Sequence, residues 1–320
     1  MKRRSLLGQA AGWAMAWPVA ALAQSGQGPR RVGLLDLGDG GRKILPGALA
    51  ELGVVDGRDI VIESRTAAGR VDALPGLAAQ LVALKPALIV SVGPQPTQAA
   101  LAADPAMPVV AMLGSALEAG FAEQLARPGG RLTGVNFLGT PLNAKRLELL
   151  CEMVPRGRSF LNLGDPGTRT PAIADALAGV ARNLRIVTHD LDAGTPPEID
   201  AAFAEASRLR VSGVNVLGSP FLHAHRARVI ELAAKTRLPA IYQWPSTARE
   251  GGLMGYGPSL TGMYQLLAGM VVRVLAGSRP GDLPIEQPTR FELVINQATA
   301  RALGLNMPQS LQLRADEVVG

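Results

Sequence analysis

The sequence predicts an α/β protein with two Rossmann-like lobes, each built on a parallel β-sheet. Short apolar runs of strand type alternate with amphipathic helical patterns along most of the chain, and this alternation pauses near Phe137 and restarts at Pro141. Strands that alternate with helices through short polar segments are typical of parallel sheets with right-handed crossovers. The chain of 320 residues is long enough to form two cores of ordinary domain size.

The first block is organised around a predicted central strand at residues 87–92, where an uninterrupted apolar run contains Ile and Val. Such a run is typical of a strand that is buried on both faces. A glycine and a proline end the run, and a helix is expected to begin within residues 96–98. The amphipathic pattern at residues 71–82 predicts a helix that covers one face of the sheet. The other strands of this block are predicted at residues 31–37, 59–63 and 108–113.

The second block repeats the pattern. Its strands are predicted at residues 159–164, 184–188, 213–217, 239–242, 253–256 and 290–295, with helices between them that include residues 143–154, 222–236 and 260–276. The elements near the end of the chain are too few for a third domain, so we expect them to complete both lobes. The predicted first lobe comprises residues 30–137 and 257–283, and the predicted second lobe comprises residues 138–256 and 284–320. This division implies several crossings between the lobes and therefore a hinge.

Residues 1–23 are predicted to be a cleaved export signal. A basic start (MKRR), a moderately apolar segment and the small-x-small triplet ALA follow one another in the order that such signals require. The paired arginines are compatible with both the twin-arginine and the Sec route. We therefore expect a periplasmic protein. A lipid anchor is not expected, because the one cysteine, Cys151, lies far beyond the cleavage site.

The charge of the chain does not indicate nucleic-acid binding. The formal net charge of +6 includes the basic residues of the predicted signal, and the remaining arginines are spread over many helices without interleaved aromatic residues. We expect no nucleic-acid partner.

Several segments together resemble a known family. They are LARPGGRLTG at residues 125–134, KRLELL at 145–150, RLPAIY at 237–242, EGGLMGYGPSL at 250–260, and FELVINQATARALGL at 291–305 with RADEV at 314–318. In this order and spacing they resemble the ABC transporter substrate-binding family whose best-known members handle tryptophan and other aromatic amino acids. The resemblance covers essentially the whole chain after the signal.

The resemblance implies a periplasmic-binding-protein fold of type I, with three interlobe crossings and a ligand cleft between the lobes. It also implies delivery of the ligand to an ABC permease that is driven by a separate ATPase. We expect the protein to be a monomer. Two loops depart from the family pattern. Arg65 lies between Ser64 and Thr66, where relatives have aromatic residues, and Ser115 lies where relatives have Gly-Asp-Pro. The expected ligand is therefore a small amino-acid-like molecule or polar carboxylate, and these loops do not indicate an aromatic side chain.

A two-lobed binder closes around its ligand when each lobe supplies part of the contacts, so the candidate site residues are those at the carboxyl ends of predicted strands in both blocks. From the first lobe we predict Asp36, Arg65, Ser91, Gln95, Thr97 and Ser115. From the second lobe we predict Asp165, Thr168, Ser219, Tyr242 and Trp244, with Tyr256 near a crossing.

Each choice has a structural alternative. Ser91 and Thr97 suit a carboxylate at a helix N-terminus, but they could equally cap that helix. Turn chemistry alone can explain Asp165 and Thr168, and Arg65 can be a solvated loop charge. The aromatic rings at residues 242 and 244 could form apolar walls of the site or pack under the hinge.

The sequence offers no catalytic, metal or cofactor site. His223 and His225 are two residues apart on a predicted helix and point to different faces, which is a poor arrangement for a metal. The glycine-rich LGDGGR segment fits neither the dinucleotide fingerprint nor the P-loop, and Ser219 lacks a nucleophile elbow. A ligand sensor of the same fold stays open as an alternative, and a sugar or nucleotide enzyme is a weaker one.

Overall fold

The structure is a computed structural model that describes residues 28–320, so the predicted export signal lies outside the described residues. The described chain forms two β-sheets, each covered by helices on both faces. In the first half of the chain the elements are β1 (Arg30–Asp36), α1 (Gly40–Glu51), β2 (Ile60–Thr66), α2 (Leu74–Ala83), β3 (Leu88–Val92), α3 (Pro94–Ala103), β4 (Val109–Leu113) and β5 (Leu132–Asn136).

The second half continues the same alternation. Its elements are α4 (Gly139–Met153), β6 (Ser159–Gly164), α5 (Pro171–Leu184), β7 (Val187–Asp192), α6 (Pro196–Arg208), β8 (Val214–Val216), α7 (Pro220–Ala224), α8 (Arg226–Thr236), β9 (Ala240–Tyr242), α9 (Pro245–Arg249), β10 (Met254–Gly257), α10 (Leu260–Leu275), β11 (Glu292–Asn296), α11 (Gln297–Ala302), α12 (Gln309–Arg314) and β12 (Glu317–Val319).

The first lobe contains a five-stranded parallel sheet with strand order β2-β1-β3-β4-β5. Successive side chains of a strand point to opposite faces, so Leu34 and Leu35 in β1 enter different cores. Leu34 packs in the core beneath α1 and α10, and Leu35 packs in the core beneath α2 and α3. Both faces are therefore apolar, which explains the uninterrupted apolar runs in the sequence.

The second lobe contains a seven-stranded sheet with strand order β12-β11-β10-β9-β8-β6-β7. Helices α4, α5 and α12 cover one face, and α6, α7 and α8 cover the other. The pairing of β10 with β11 is antiparallel and the other pairings are parallel. The predicted class of two α/β lobes with parallel sheets is confirmed, with this one antiparallel exception.

The chain crosses between the lobes three times: from β5 to α4, from β10 to α10, and after Glu286 toward β11. Glu286 still belongs with the first sheet, because its backbone N–H donates to Gly134 and its carbonyl accepts from the N–H of Asn136. Ile285 packs in the core of the first lobe. The third crossing thus begins a few residues later than the division after residue 283 in the sequence analysis.

Three further differences from the predicted elements have local causes. Strand β5 was not predicted, because LTGVN lacks an apolar run. The strand expected at 184–188 begins at Val187, since α5 continues to Leu184 and ends at Arg185 in the left-handed region, with φ of 53°. The helix expected at 222–236 is divided into α7 and α8. Within residues 28–320, no helix is long and apolar enough to cross a bilayer.

Candidate ligand site

A cavity of about 310 Å³ lies between the two lobes. Its first-lobe wall is formed where β1, β3 and β4 end, and its second-lobe wall is formed where β6, β8 and β9 end. Parallel strands in one sheet bring their carboxyl ends to the same edge, so each lobe offers a row of loops and helix starts to the cavity. The volume is near the lower end of the range for small-molecule pockets, about 300–1,000 Å³.

The lobes touch around this cavity. Gly93 of the first lobe lies so close to Pro220 of the second that a methyl group at position 93 would overlap the proline ring. Gln95 Nε2 is 3.5 Å from Asp165 Oδ2 across the same gap, where it can donate a weak hydrogen bond. These contacts join opposite lobes, so the structure represents a closed arrangement.

A second interlobe contact lies at the exposed rim. Glu118, in the loop after β4, accepts hydrogen bonds from the hydroxyls of Thr140 and Thr170 in the second lobe. The distance between Thr170 Oγ1 and Glu118 Oε2 is 3.3 Å. This first-lobe side chain therefore joins the starts of two second-lobe helices.

Much of the cavity wall is apolar and aromatic. The ring centroids of Phe137 and Trp244 are 5.5 Å apart and their planes are inclined by 58°, and the His223 ring lies 6.1 Å from the indole. Ile173 and Met112 add aliphatic surface. Such a wall can accommodate an apolar body of one ring or one branched chain.

Asp36 supplies a buried carboxylate at the carboxyl end of β1. Gly38 N donates to its Oδ1 and Gly41 N donates to its Oδ2, each at 3.1 Å. Burial raises the pKa of Asp36 to about 6, although these backbone hydrogen bonds act in the opposite direction. The Tyr264 hydroxyl is on the same wall, and its pKa is raised by burial and by the negative charge of Asp36.

The cationic groups on the cavity are paired or neutral. Arg226 Nε is 2.7 Å from Glu250 Oε2, and Lys43 Nζ is 2.5 Å from Asp39 Oδ2. Burial, with the nearby Arg226 charge, lowers the pKa of His223 to about 4, so its imidazole is neutral at physiological pH. Among the described residues that line the cavity, Asp36 and Glu118 carry carboxylates that form no ion pair, and of these two Asp36 is buried whereas Glu118 is exposed at the rim.

Five of the residues predicted from strand ends line the cavity: Asp36, Ser115, Thr168, Ser219 and Trp244. Ser219 is the N-cap of α7, where its Oγ accepts from Leu222 N at 3.1 Å. Its hydroxyl donates to Asp165 Oδ2 at 2.7 Å. The cap and the buried carboxylate are therefore part of one hydrogen-bonded turn.

The structure places the other predicted residues behind or beside the cavity. Ser91 and Thr97 are fully buried, their hydroxyls are 2.8 Å apart, and Thr97 Oγ1 donates to Gly93 O. Gln95 and Asp165 meet across the interlobe gap.

Arg65 is also away from the cavity, because its guanidinium donates to Gln80 and to the Ser64 carbonyl. Tyr242 and Tyr256 pack in the two cores of the second lobe.

The start of α3 has few donors for an anion. Two of its first three residues, Pro94 and Pro96, have no N–H group, and the N–H of Thr97 donates to Gly93 O. Gln95 is the residue of this turn whose backbone N–H is left for a ligand.

Sequence reasoning did not find several residues of the cavity. Phe137 follows the strand β5 that was not predicted, and Asn143 lies on a helix that begins earlier than expected. Tyr264 lies within α10 and not at a strand end. His223 was considered only as a metal ligand. Recognising that α4 begins directly after β5 would have placed Asn143 at the cleft.

Two α/β lobes joined by three crossings and closed over a cavity define a solute-binding protein of the periplasmic-binding-protein type. The family described as ABC transporter substrate binding protein matches residues 39–319, and the chain belongs to this family. The family and the transport function expected from the sequence are thereby confirmed.

Known relatives are similar over most of their length. A tyrosine-binding protein of Clostridioides difficile is 23% identical over 279 residues, which are 85% of this chain and 77% of that protein. The crystal structure of a conserved domain protein from Vibrio cholerae has a TM-score of 0.82 at 22% identity, covering 90% of this chain and 99% of that one. The structure of an ABC domain from Streptococcus pneumonia in complex with L-Trp also has a TM-score of 0.82, at 20% identity, covering 91% and 100%.

Proposed function

We propose that this protein captures a small amino-acid-like zwitterion in the interlobe cavity and delivers it to an ABC permease. The observation that carries the proposal is the combination, in one enclosed space, of a buried carboxylate at Asp36 and an aromatic wall at Phe137 and Trp244. The relatives that bind tyrosine and tryptophan support the amino-acid class. The departures from the family pattern at Arg65 and Ser115 leave the side chain of the ligand open.

Asp36 is the group proposed to recognise the ligand's ammonium. Burial penalises its charged form, and a cation at hydrogen-bond distance offsets that penalty. Each of its oxygens accepts one backbone N–H, which leaves further lone pairs for an ammonium. Hydrogen bonds to a charged partner contribute about 1.5–3 kcal/mol, or roughly 10- to 100-fold in affinity.

The cellular setting follows from the sequence and the family. The predicted signal at residues 1–23 supports export to the periplasm, and the family supports delivery to a permease in the inner membrane that is driven by an ATPase. Closure provides the signal for delivery, since a ligand that contacts both lobes stabilises the closed form by its differential affinity for that form.

The test is a titration of the mature chain, from residue 24, while Trp244 emission is recorded. The other two tryptophans, Trp13 and Trp17, lie in the predicted signal, so Trp244 alone reports. The panel contains the twenty L-amino acids, small carboxylates and small sugars. A saturable change with amino acids and none with sugars is the expected result.

Asp36→Asn should then weaken amino-acid binding by tenfold or more. Asp72→Asn, at an exposed site on a helical turn outside the cavity lining, is the matched control and should leave the affinity unchanged. Saturable binding of sugars alone, or full affinity in Asp36→Asn, would contradict the proposed recognition.

A further inference from the structure

Asn143 occupies an unusual position in the second-lobe wall. It lies in the first turns of α4, lines the cavity and is almost completely buried. Its side-chain oxygen accepts from Gly218 N at 3.0 Å and from the Arg146 guanidinium. Its Nδ2 has no hydrogen-bond partner within residues 28–320 and keeps access to the cavity.

Arg146 fixes the orientation of this amide. A guanidinium can only donate, and so can the N–H of Gly218, so both require the oxygen of Asn143 on their side. The amide NH₂ must then be on the cavity side. This assignment follows from the chemistry of the partners and needs no choice between two equivalent rotations.

Arg146 itself is a buried cation without a counter-ion. Its side chain is fully buried, Nη1 donates to the Tyr256 carbonyl at 3.1 Å, and Nε has no partner. No carboxylate within the described part of the chain forms an ion pair with it. Burial lowers the pKa of Arg146 to about 9, which still leaves the group charged at neutral pH.

An uncompensated buried charge is unfavourable unless something of opposite sign approaches it. The start of α4 adds one backbone donor on the cavity, the N–H of Thr140. The N–H groups of Gly139 and Leu142 donate within the protein, and Pro141 has none. Glu118 meets this helix start through Thr140, but it does so at the exposed rim. The cavity side therefore favours an anionic ligand group next to Asn143.

We propose that Asn143 is a specificity-determining residue, whose NH₂ donates to the carboxylate of the ligand while Arg146 orients the amide from behind. This inference rests on the proposed function. It divides the zwitterion between the lobes, with the ammonium at Asp36 of the first lobe and the carboxylate at Asn143 of the second. Such a ligand stabilises the closed form through polar contacts of its two charged groups with opposite lobes, in addition to its packing against the cavity wall.

The experiment compares amino acids with the amines formed by removing their carboxylate. The probes are L-tyrosine with tyramine, L-tryptophan with tryptamine, and L-leucine with isoamylamine, measured by calorimetry. Wild type should bind at least one amino acid and prefer it over its amine. Asn143→Asp retains the acceptor for Arg146 but replaces the NH₂ with an anionic oxygen, so it should lose at least 30-fold in amino-acid affinity and shift its preference toward the amine.

Two further variants keep the result interpretable. Asn143→Ala removes the donor without adding charge, and it should reduce the amino-acid preference at least tenfold. Asn136→Asp changes another buried asparagine, whose oxygen accepts from Ala116 N outside the cavity, and it should keep the preference of wild type.

The outcomes separate the two levels of the proposal. Failure of wild type to bind any amino acid would overturn the proposed function and this inference with it. Wild-type binding with an unchanged amino-acid to amine ratio in both Asn143 variants would overturn the role of Asn143 alone. An equal loss of both members of a pair would assign Asn143 a structural role and would also overturn it.

Discussion

The two lobes meet through two turns that look alike in sequence and differ in what they present. The first-lobe turn joins β3 to α3 through Gly93, and the second-lobe turn joins β8 to α7 through Ser219. In each, the helix begins at a proline. The first turn directs its hydroxyls into its own lobe, whereas the second holds Ser219 on the cavity wall, bonded to Asp165.

The difference indicates a division of tasks between equivalent positions. The first-lobe turn offers bare backbone at Gly93, which lets Pro220 approach closely. The second-lobe turn offers side chains to the space that this approach encloses. A strand end followed by a helix that begins at proline thus determines the position of a turn. The direction of the side chains of the turn determines whether the turn only contacts the other lobe or also lines the ligand site.

The largest effect that tests this comparison is expected from Gly93→Ala. Gly93 has φ of 98° and ψ of 166°, a region almost confined to glycine, so the alanine should cost about 1–3 kcal/mol of stability. The added methyl would also overlap Pro220 and hinder closure. We expect amino-acid affinity to fall by about 10- to 100-fold in calorimetry, which corresponds to roughly 1.4–2.7 kcal/mol.

A second substitution separates the two causes. Pro220→Ala removes the ring atom that the new methyl meets, so Gly93→Ala/Pro220→Ala should regain most of the affinity while the backbone strain persists. Gly38→Ala is the milder control, because its methyl would lie 3.3 Å from the Ala224 Cβ across the cleft. If the double variant binds no better than Gly93→Ala, the contact between the turns does not limit closure.

Asp36 in the first-lobe wall and His223 in the second-lobe wall have pKa values that are shifted in opposite directions. The pKa of Asp36 in the first lobe is raised to about 6 from 3.8, so the folded state holds its proton more tightly and stability falls as pH rises from about 4 to 6. The pKa of His223 in the second lobe is lowered to about 4 from 6.5, so stability rises with pH over nearly the same window. The two slopes oppose each other.

In ligand-free wild type these two contributions offset each other between about pH 4 and 6.5. Relative to wild type, the stability of Asp36→Asn should rise with pH by about 3 kcal/mol, since one pKa unit is about 1.36 kcal/mol, and that of His223→Gln should fall. The change of stability with pH that His223 causes should be smaller than the change that Asp36 causes, because the His223 ring is partly exposed. Urea unfolding across this pH range gives the free energy of unfolding of all three proteins. Identical profiles would disprove the opposite contributions of Asp36 and His223.

The fold could be predicted from the sequence because a strand that is buried on both faces needs apolar residues at successive positions, and such a run is visible in the sequence. The residues Ala87 and Leu88 to Val90 show this, and they form the centre of the first sheet. Strand β5 lacks such a run and was missed. Gly134 allows it to pair closely with β4, since a side chain there would overlap Ala111 O.

The site was less predictable because side-chain direction depends on turn geometry. The strand-end rule placed Ser91, Thr97 and Ser219 at the right edge of their sheets, but the first two turn inward. Asn143 escaped notice because α4 begins at Gly139, whose N–H donates to Gly114 O at 2.7 Å. That hydrogen bond joins the loop after β4 to the start of α4, and no local sequence pattern predicts it.

The smallest expected effects come from deleting one hydroxyl in each turn. Thr97→Val should lower the free energy of unfolding by about 1–3 kcal/mol, since the buried Oγ1 bonds both Gly93 O and Ser91 Oγ, while amino-acid affinity changes less than about twofold. Ser219→Ala removes a helix cap and a partner of buried Asp165, so it should cost a similar free energy and also weaken binding several-fold.

Urea unfolding and calorimetry on the same preparations give both quantities for each variant. Thr97→Ser keeps the hydroxyl and removes only a methyl group, so it is the control for packing in the first turn. The two turns would prove equivalent if Thr97→Val weakened binding as much as Ser219→Ala. A change in affinity confined to Ser219→Ala would instead show that equal strand-end positions contribute unequally, because Ser219 lines the cavity and Thr97 does not.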